Sequence, residues 1–258
     1  MIMYNLGKYI KNTFDGILVF GDIHGDYTSF NRAYSFAKSE NLFFMSLGDL
    51  VDRDRQPFEV IQSMYEIMQE GLGGFTIGNH DDKHYRAFNG ANVSFSKDAK
   101  QTLIDVGEDR MNTFKEMYTG IIDDTLLSSL YHKFDDLTLV HAASHPCMWE
   151  NSPTIRKSER SRFIVGETNG EKYDNGYPVR LYNWIDEIPM GKIVIVGHDK
   201  QPINNIPITE PMHITNKNGG KVIFLDTGCG KGGFLSGIVI MPNKQGKFQI
   251  VSTMAFKE

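Results

Sequence analysis

Five short runs in this chain each leave an apolar stretch and end on residues of the kind that bind metal ions. They are GDIHGD (residues 21–26), GDLVDR (48–53), GNHD (78–81), VHAA (140–143) and VGHD (196–199). The stretches that enter them are ILVF, LFFMSL, FTI, LTLV and IVIV. Apolar runs of this kind mark strands buried on both faces, as in the sheets of α/β proteins. Those sheets bind ligands beyond the carboxyl ends of their strands. Five strands are therefore expected to deliver Asp22, His24, Asp49, Asn79, His141 and His198 to one edge.

The residue types suit a pair of ions. Asp22 and His24 alternate in a tight turn, and Gly25 lets the backbone swing away. Asp49 has two oxygens with which to bridge two ions, and Asn79, His141 and His198 complete the second. Mixed oxygen and imidazole donors suit Mn, Fe or Zn better than the all-oxygen surroundings that Ca or Mg prefer; manganese is the expected metal. A single histidine near a strand end is usually structural, and a single Gly-Asp is only a turn. Five such items in order, each after an apolar strand, point to two-metal phosphoester chemistry.

Other residues offer chemistry without metal binding. His80 follows Asn79 and is expected to protonate a leaving oxygen, with Asp52 orienting its ring. Arg53 presents a planar fork that matches two phosphoryl oxygens; a surface ion pair is the plainer role for it. The glycine-rich DTGCGKGGF (226–234) lacks the phosphate-loop pattern. It reads as a tight loop beneath the metal site, in which Asp226 orients a ligand histidine.

The intervals from Asp22 to Asp49 and from Asp49 to Asn79 are each about 30 residues, the length of a strand–helix–strand unit. Residues 27–40 and 57–71 carry apolar residues at helical spacing, with Pro57 suited to a first turn. Residues 82–133 read as a helical insertion, and the polar stretch 144–189 as a wall on the substrate side. The runs KIVIVGH, KVIFLDTG, SGIVIMP and KFQIVST read as antiparallel hairpins. The whole chain, 1–258, is expected to form a single domain.

Composition bounds the partners. A formal net charge of −5 argues against stable binding to duplex nucleic acid through an overall positive field. Two cysteines without a CxxC pair suggest no disulfide framework, which fits a reducing cytoplasm. No signal peptide and no membrane span are apparent.

GDIHG, GDLVDR, GNHD, the isolated His141 and GHD together resemble the calcineurin-like metallophosphoesterases, specifically the phosphoprotein-phosphatase branch. In the second half, residues 160–171, 176–184, 194–199 and 224–233 look most like the phosphatase domain of bacterial polynucleotide kinase-phosphatase. Phage serine/threonine phosphatases share the DTG…GG ending and the Ser-Arg pair near Arg160. The resemblance implies an α/β fold, a four-layer α/β/β/α sandwich, and a two-metal phosphoesterase that hydrolyses phosphomonoesters and also diesters. One ion would be held by Asp22, His24 and Asp49, and the other by Asp49, Asn79, His141 and His198. It further implies His80 as acid, Arg53 and Arg160 as phosphate clamps, with Arg162 and Arg156 near Arg160, and Asp226 as a supporting residue. The implied substrates are nucleic-acid 3′-phosphate or 2′,3′-cyclic phosphate ends. Phosphoproteins and dinucleoside polyphosphates are alternatives from the same branch. A non-catalytic scaffold would be expected to have lost ligands, and all six are present.

Two positions depart from the family pattern. Asp54 stands where glycine usually follows the clamp arginine, and is expected to take the left-handed backbone there. Asp199 stands where threonine usually follows Gly-His, and is expected to add negative charge near the second ion.

Overall fold

The computed structural model describes residues 5–149, 155–174, 176–203 and 206–257. Parts of the expected substrate wall, 150–154 and 175, lie outside them. The chain opens with α1 (Leu6–Thr13), β1 (Gly16–Phe20), α2 (Tyr27–Ser39), β2 (Leu42–Ser46), α3 (Pro57–Gln69) and β3 (Gly73–Thr76). Next come α4 (Asn79–Phe88), α5 (Lys97–Val106), α6 (Met111–Asp123), β4 (Ser128–Ser129), β5 (Tyr131–Phe134) and β6 (Leu137–Val140). Then follow α7 (Lys157–Val165), β7 (Glu167–Lys172), β8 (Pro178–Leu181) and β9 (Ile193–Val196). The last strands are β10 (Met212–Thr215), β11 (Lys221–Phe224), β12 (Leu235–Pro242) and β13 (Phe248–Phe256).

Local chemistry sets the helix starts. The Asp26 side chain accepts from Ser29 N at 2.9 Å and caps α2, so the last residue of GDIHGD serves the helix rather than the metals. Pro57 opens α3, where its missing N–H would have had no partner.

Two main sheets form the centre, and the fold is mixed α/β. The first runs β13-β12-β1-β2-β3-β4 and the second β10-β11-β9-β6-β5, with β7-β8 a separate ribbon. The second sheet alternates strictly. Leu137, Leu139, Ile195 and Ile223 face the first sheet and join its large core. Val140, Val194, Val196, Val222 and Phe224 face outward, packing with Phe163, Ile164, Trp184 and Ile185. Both faces are therefore covered, which is why these strands read as unbroken apolar runs. Helices α2 and α3 cover the other face of the first sheet through Phe30, Ala33, Val60, Ile61 and Met64, and the layers are helix, sheet, sheet, helix. Phe44 packs against Phe20 and Phe30 with ring centroids 4.2 and 5.2 Å away. Truncation of such a ring to alanine costs about 3–5 kcal/mol.

Three expectations are corrected. The metal-type residues do not leave one sheet. Asp22, Asp49 and Asn79 follow β1, β2 and β3, whereas His141 and His198 follow β6 and β9 of the other. The C-terminal runs are not successive hairpins, because β9 and β11 pair in parallel and β11 and β12 belong to different sheets. Only β12 and β13 form the hairpin expected of those runs; the antiparallel partner of β11 is the less apolar β10. Helix also begins at Asn79 and gives way to strand at Ser128, within the stretch read as a helical insertion.

Candidate metal centre and substrate cleft

The strand ends of both sheets meet, and the six expected ligands lie around one cleft. His198 N donates to Asp22 Oδ1 at 2.8 Å, tying the end of β9 to the end of β1. His24 Nε2 lies 3.4 Å from Asp22 Oδ2 and 3.8 Å from Asp49 Oδ2. His141 Nε2 lies 3.4 Å from Asp49 Oδ1, 3.3 Å from Asn79 Oδ1 and 3.0 Å from His198 Nδ1. Two glycines make this crowding possible. A Cβ on Gly78 would stand 2.2 Å from Asp49 Oδ1, and one on Gly197 would stand 2.4 Å from Asp22 Oδ1.

The backbone is strained where the chemistry is. His24, Asp49, Asp52, Arg53 and His198 all have positive φ, between 51° and 97°. Non-glycine residues there cost of order 1–3 kcal/mol each and persist only where surrounding contacts hold them. Asp81 supplies much of that hold. It is fully buried, and its carboxylate accepts from Asp49 N (2.7 Å), Gly78 N (2.9 Å), Leu50 N (3.1 Å) and Tyr118 Oη (2.8 Å).

The donor set fits divalent ions. His24 Nδ1 faces the Val51 carbonyl at 3.0 Å and His141 Nδ1 faces the Leu47 carbonyl at 2.7 Å. A proton on each Nδ1 leaves each Nε2 as a bare lone pair pointing into the cleft. Asp22 Oδ2, His24 Nε2 and His198 Nε2 are buried with no hydrogen-bond partner. Asp22 Oδ2 and His24 Nε2, 3.4 Å apart, are two unpaired acceptors that repel each other unless a cation lies between them. Burial, with the positive charge of Lys231, pushes His24 down to about 3. Burial, with Arg180, holds His198 well below its usual range. Both rings are thus neutral and free to ligate. Burial opposes protonation of His141, yet the charges of Asp49 and Asp22 raise it to about 9. Burial and the Asp49 charge likewise push the Asp22 carboxyl up. The paired carboxylates of Asp22 and Asp49 thus draw positive charge toward the site. Among the described residues, two groups of His and Asp have ligand atoms close enough to share an ion: Asp49, His141 and His198, and His24, Asp49 and His80.

His80 is the second residue of α4 rather than part of a turn. Its Nδ1 lies 2.5 Å from Asp52 Oδ2, and its Nε2 lies 3.8 Å from Asp49 Oδ2. Asp52 is completely buried and also meets His84 Nε2 (2.8 Å) and Thr102 Oγ1 (2.7 Å). Burial disfavours the Asp52 anion, but hydrogen bonds from His80 and His84 hold its carboxyl below the usual range. Burial would lower His80; Asp49 and Asp52 outweigh it and raise the ring.

Arg53 lines the cleft and is ion-paired to Asp98. Arg160 does not line it. Its Nη2 meets Asp82 Oδ1 at 2.6 Å in a neighbouring cavity, while Arg162 pairs with Glu167 and Glu187 on the surface. Asp226 orients no histidine; it accepts from Lys231 Nζ at 3.1 Å and Gly228 N at 2.9 Å. His24 and His141 are oriented by backbone carbonyls instead. Positive φ falls on Asp52 and Arg53, not on Asp54, whose carboxylate accepts from Arg55 N at 2.5 Å outside the metal cleft. Asp199 is not loose charge beside a metal. It accepts from Tyr177 Oη (2.9 Å) and Tyr182 Oη (2.5 Å) and lies 3.4 Å from Arg180 Nε.

Several residues of the cleft were not legible from the motifs. Lys231 sits in the loop read as structural, yet its Nζ lies 3.8 Å from Asp22 Oδ2. Tyr177 and Arg180 come from the polar stretch and line the cleft with Lys200. A lysine inside a glycine-rich loop after a strand, and an Arg three residues from a Tyr, were the only signals.

Residues 16–206 match the calcineurin-like phosphoesterase family. The chain belongs to that family. It is accordingly a metal-dependent phosphoesterase, a hydrolase. A bis(5′-nucleosyl)-tetraphosphatase of Anoxybacillus flavithermus is 27% identical over 237 residues, covering 85% of this chain and 88% of that one. One from Bacillus cereus is 25% identical over 235 residues, with the same coverage. The calcineurin-like fold recurs in a yeast (Saccharomyces cerevisiae) protein serine/threonine phosphatase with similarity to human phosphatase PP5. That match has a TM-score of 0.50 at 13% identity, covering 98% of this chain and 87% of that one. A candidate diadenosine tetraphosphatase shares the fold with a TM-score of 0.54 at 20% identity, covering 92% and 93%. Among the described residues no helix is long and apolar enough to cross a membrane.

Proposed function

We propose that this phosphoesterase hydrolyses dinucleoside polyphosphates in the cytoplasm, with two divalent ions, manganese first among them. The observation that carries the chemistry is the cluster of Asp22, His24, Asp49, Asn79, His141 and His198, in which Asp22 Oδ2 and His24 Nε2 are buried without a hydrogen-bond partner and His141 Nε2 lies 3.3 Å from Asn79 Oδ1 and 3.0 Å from His198 Nδ1. Asp22, His24 and Asp49 would hold one ion, and Asp49, Asn79, His141 and His198 the other. Such ions, when bound, acidify water and neutralise phosphoryl oxygens.

The protein groups do the rest. Arg53 presents its fork at the cleft mouth and neutralises oxygens of the reacting phosphate. Arg180 and Lys200 add positive charge to the lining of the same cleft. His80 gives its Nε2 proton to the departing oxygen, while Asp52 on Nδ1 fixes the tautomer and stabilises the protonated ring. Tyr177 and Tyr182, anchored on Asp199, hold the β7–β8 wall over the site. The two cysteines, Cys147 and Cys229, are buried and not joined to each other in a disulfide, which suits a reducing compartment.

The tetraphosphatase likeness along most of the chain supports dinucleoside polyphosphates ahead of nucleic-acid ends or phosphoproteins. The deciding assay compares kcat/KM for diadenosine tetraphosphate, a 3′-phosphate oligonucleotide, an RNA 2′,3′-cyclic phosphate and a phosphopeptide with manganese present. Diadenosine tetraphosphate is expected to lead by at least tenfold. A higher value for any of the other three overturns the assignment.

A further inference from the structure

Helix α4 begins at Asn79, a residue of the metal cleft, and continues away from it. Asp82, Lys83 and Arg86 follow at spacings of three, four and seven residues, so they share the Asn79 face of the helix. That face carries positive charge outward over roughly 10 Å. Helix α7 supplies the facing wall. Lys157, Arg160 and Ser161 lie at the same three- and four-residue spacings, and Arg160 bridges the two helices through its ion pair with Asp82. Together they enclose a cavity of about 570 Å³ that shares Asn79 with the metal cleft.

The charge of this cavity is unlike that of the molecule. Four cations, Lys83, Arg86, Lys157 and Arg160, meet one carboxylate, Asp82, in a chain of formal net charge −5. Asp82 is shared between Arg160 at 2.6 Å and Arg86 at 3.5 Å. Lys83 and Lys157 form no ion pair among the described residues. Four like charges at one opening repel each other and are stabilised by an anion between them. Val93, Ile164 and Val165 add an apolar strip to the same cavity. Cations beside an apolar strip suit a phosphate chain that ends in a flat base.

We propose that the cavity between α4 and α7 is a second anion-binding subsite, taking the distal phosphates and nucleoside of a polyphosphate whose reacting phosphate lies at the metal cleft. The substrate class rests on the function proposed above; the subsite itself is judged separately. A phosphate chain leaving the metals would pass Asn79, meet Lys83 and Arg86 on one side and Arg160 and Lys157 on the other, and set its base on Ile164 and Val93.

The test uses diadenosine tetraphosphate as a competitor of p-nitrophenyl phosphate hydrolysis, a substrate too short to reach the cavity. Its inhibition constant is measured whether or not it is cleaved. In K83A/R86A, and independently in K157E on the facing wall, the ratio of that constant to the variant's own KM for p-nitrophenyl phosphate is expected to rise at least tenfold. A ratio unchanged in both variants overturns the subsite. So does a ratio that rises for a 3′-phosphate oligonucleotide but not for diadenosine tetraphosphate, which would make the cavity a nucleic-acid groove. Failure to cleave diadenosine tetraphosphate while the ratio still shifts removes the proposed substrate and leaves the subsite standing.

Discussion

The guanidinium of Arg53 is ion-paired to the carboxylate of Asp98, which stands in the first turn of α5 at the mouth of the metal cleft. A substrate phosphate that uses this fork must therefore take it from Asp98. Asp98→Asn is expected to lower KM for p-nitrophenyl phosphate about two- to fivefold with kcat within twofold, since an exposed pair is worth roughly 0.2–1 kcal/mol. Arg53→Ala is expected to lower kcat/KM by about 10²–10³. Steady-state kinetics on both variants check this; a raised KM in Asp98→Asn would mean that Asp98 positions Arg53 instead of competing for it.

His80 and Asp52 predict a dependence on the leaving group. An alkyl phosphate departs as a strongly basic alkoxide and needs the His80 proton; p-nitrophenolate does not. His80→Ala is expected to slow an alkyl phosphate by about 10²–10⁴ and p-nitrophenyl phosphate by less than tenfold. Equal losses on the two substrates would point instead to His80 as a ligand, in line with its nearness to His24 and Asp49.

Asp49 touches both halves of the site, so its neutralisation should remove metal and activity together. Asp49→Asn is expected to bind at most half the metal of the parent, measured by elemental analysis, and to lose at least 10³ in kcat. Adding manganese at 100 times its Kd should stabilise the parent by about 2.7 kcal/mol and the variant by less, read as melting temperatures. Normal metal content in Asp49→Asn would remove Asp49 from the bridging position.

His132 lies away from the cleft, on β5, buried with Nε2 3.1 Å from the Phe75 carbonyl. Burial lowers it from 6.5 to about 4, only partly offset by that carbonyl. Below pH 6.5 the unfolded chain takes up a proton that the folded chain refuses. Stability from this residue is therefore complete above pH 6.5 and falls as the pH drops to about 4, by about 3 kcal/mol in all. His132→Gln should flatten that part of the pH–stability curve from urea unfolding. An equal slope in parent and variant would place the acid sensitivity elsewhere.

The motifs made much of the site visible because metal chemistry demands rare residue types at fixed places after apolar strands. Asp22, His24, Asp49, Asn79, His141 and His198 were readable singly and now stand around one cleft. Their division between two sheets was not readable, because an apolar run buried on both faces looks the same in either sheet. Parallel pairing of β9 and β11 was hidden for a related reason: both are short apolar strands, and β10, which lies between them in the chain, is half exposed and carries little signal. Lys231 and Arg180 escaped notice because their charges gain meaning only from what the fold sets opposite them, Asp22 and Asp226 for one and Asp199 for the other. Asp199 itself, expected to add negative charge near the second ion, is the anchor of two tyrosines.

Left-handed backbone at His24, Asp49, Asp52, Arg53 and His198 has a consequence for anyone redesigning this chain. Glycine at any of these positions relieves main-chain strain of the order of 1–3 kcal/mol, although at Asp52 it would also strip His80, His84 and Thr102 of their buried partner. A search for heat-resistant variants scored on folding alone would thus be drawn to these five positions, and each success would cost hydrolysis. Durable variants of this enzyme should be sought in the outer helices, with the rims of the two sheets held fixed.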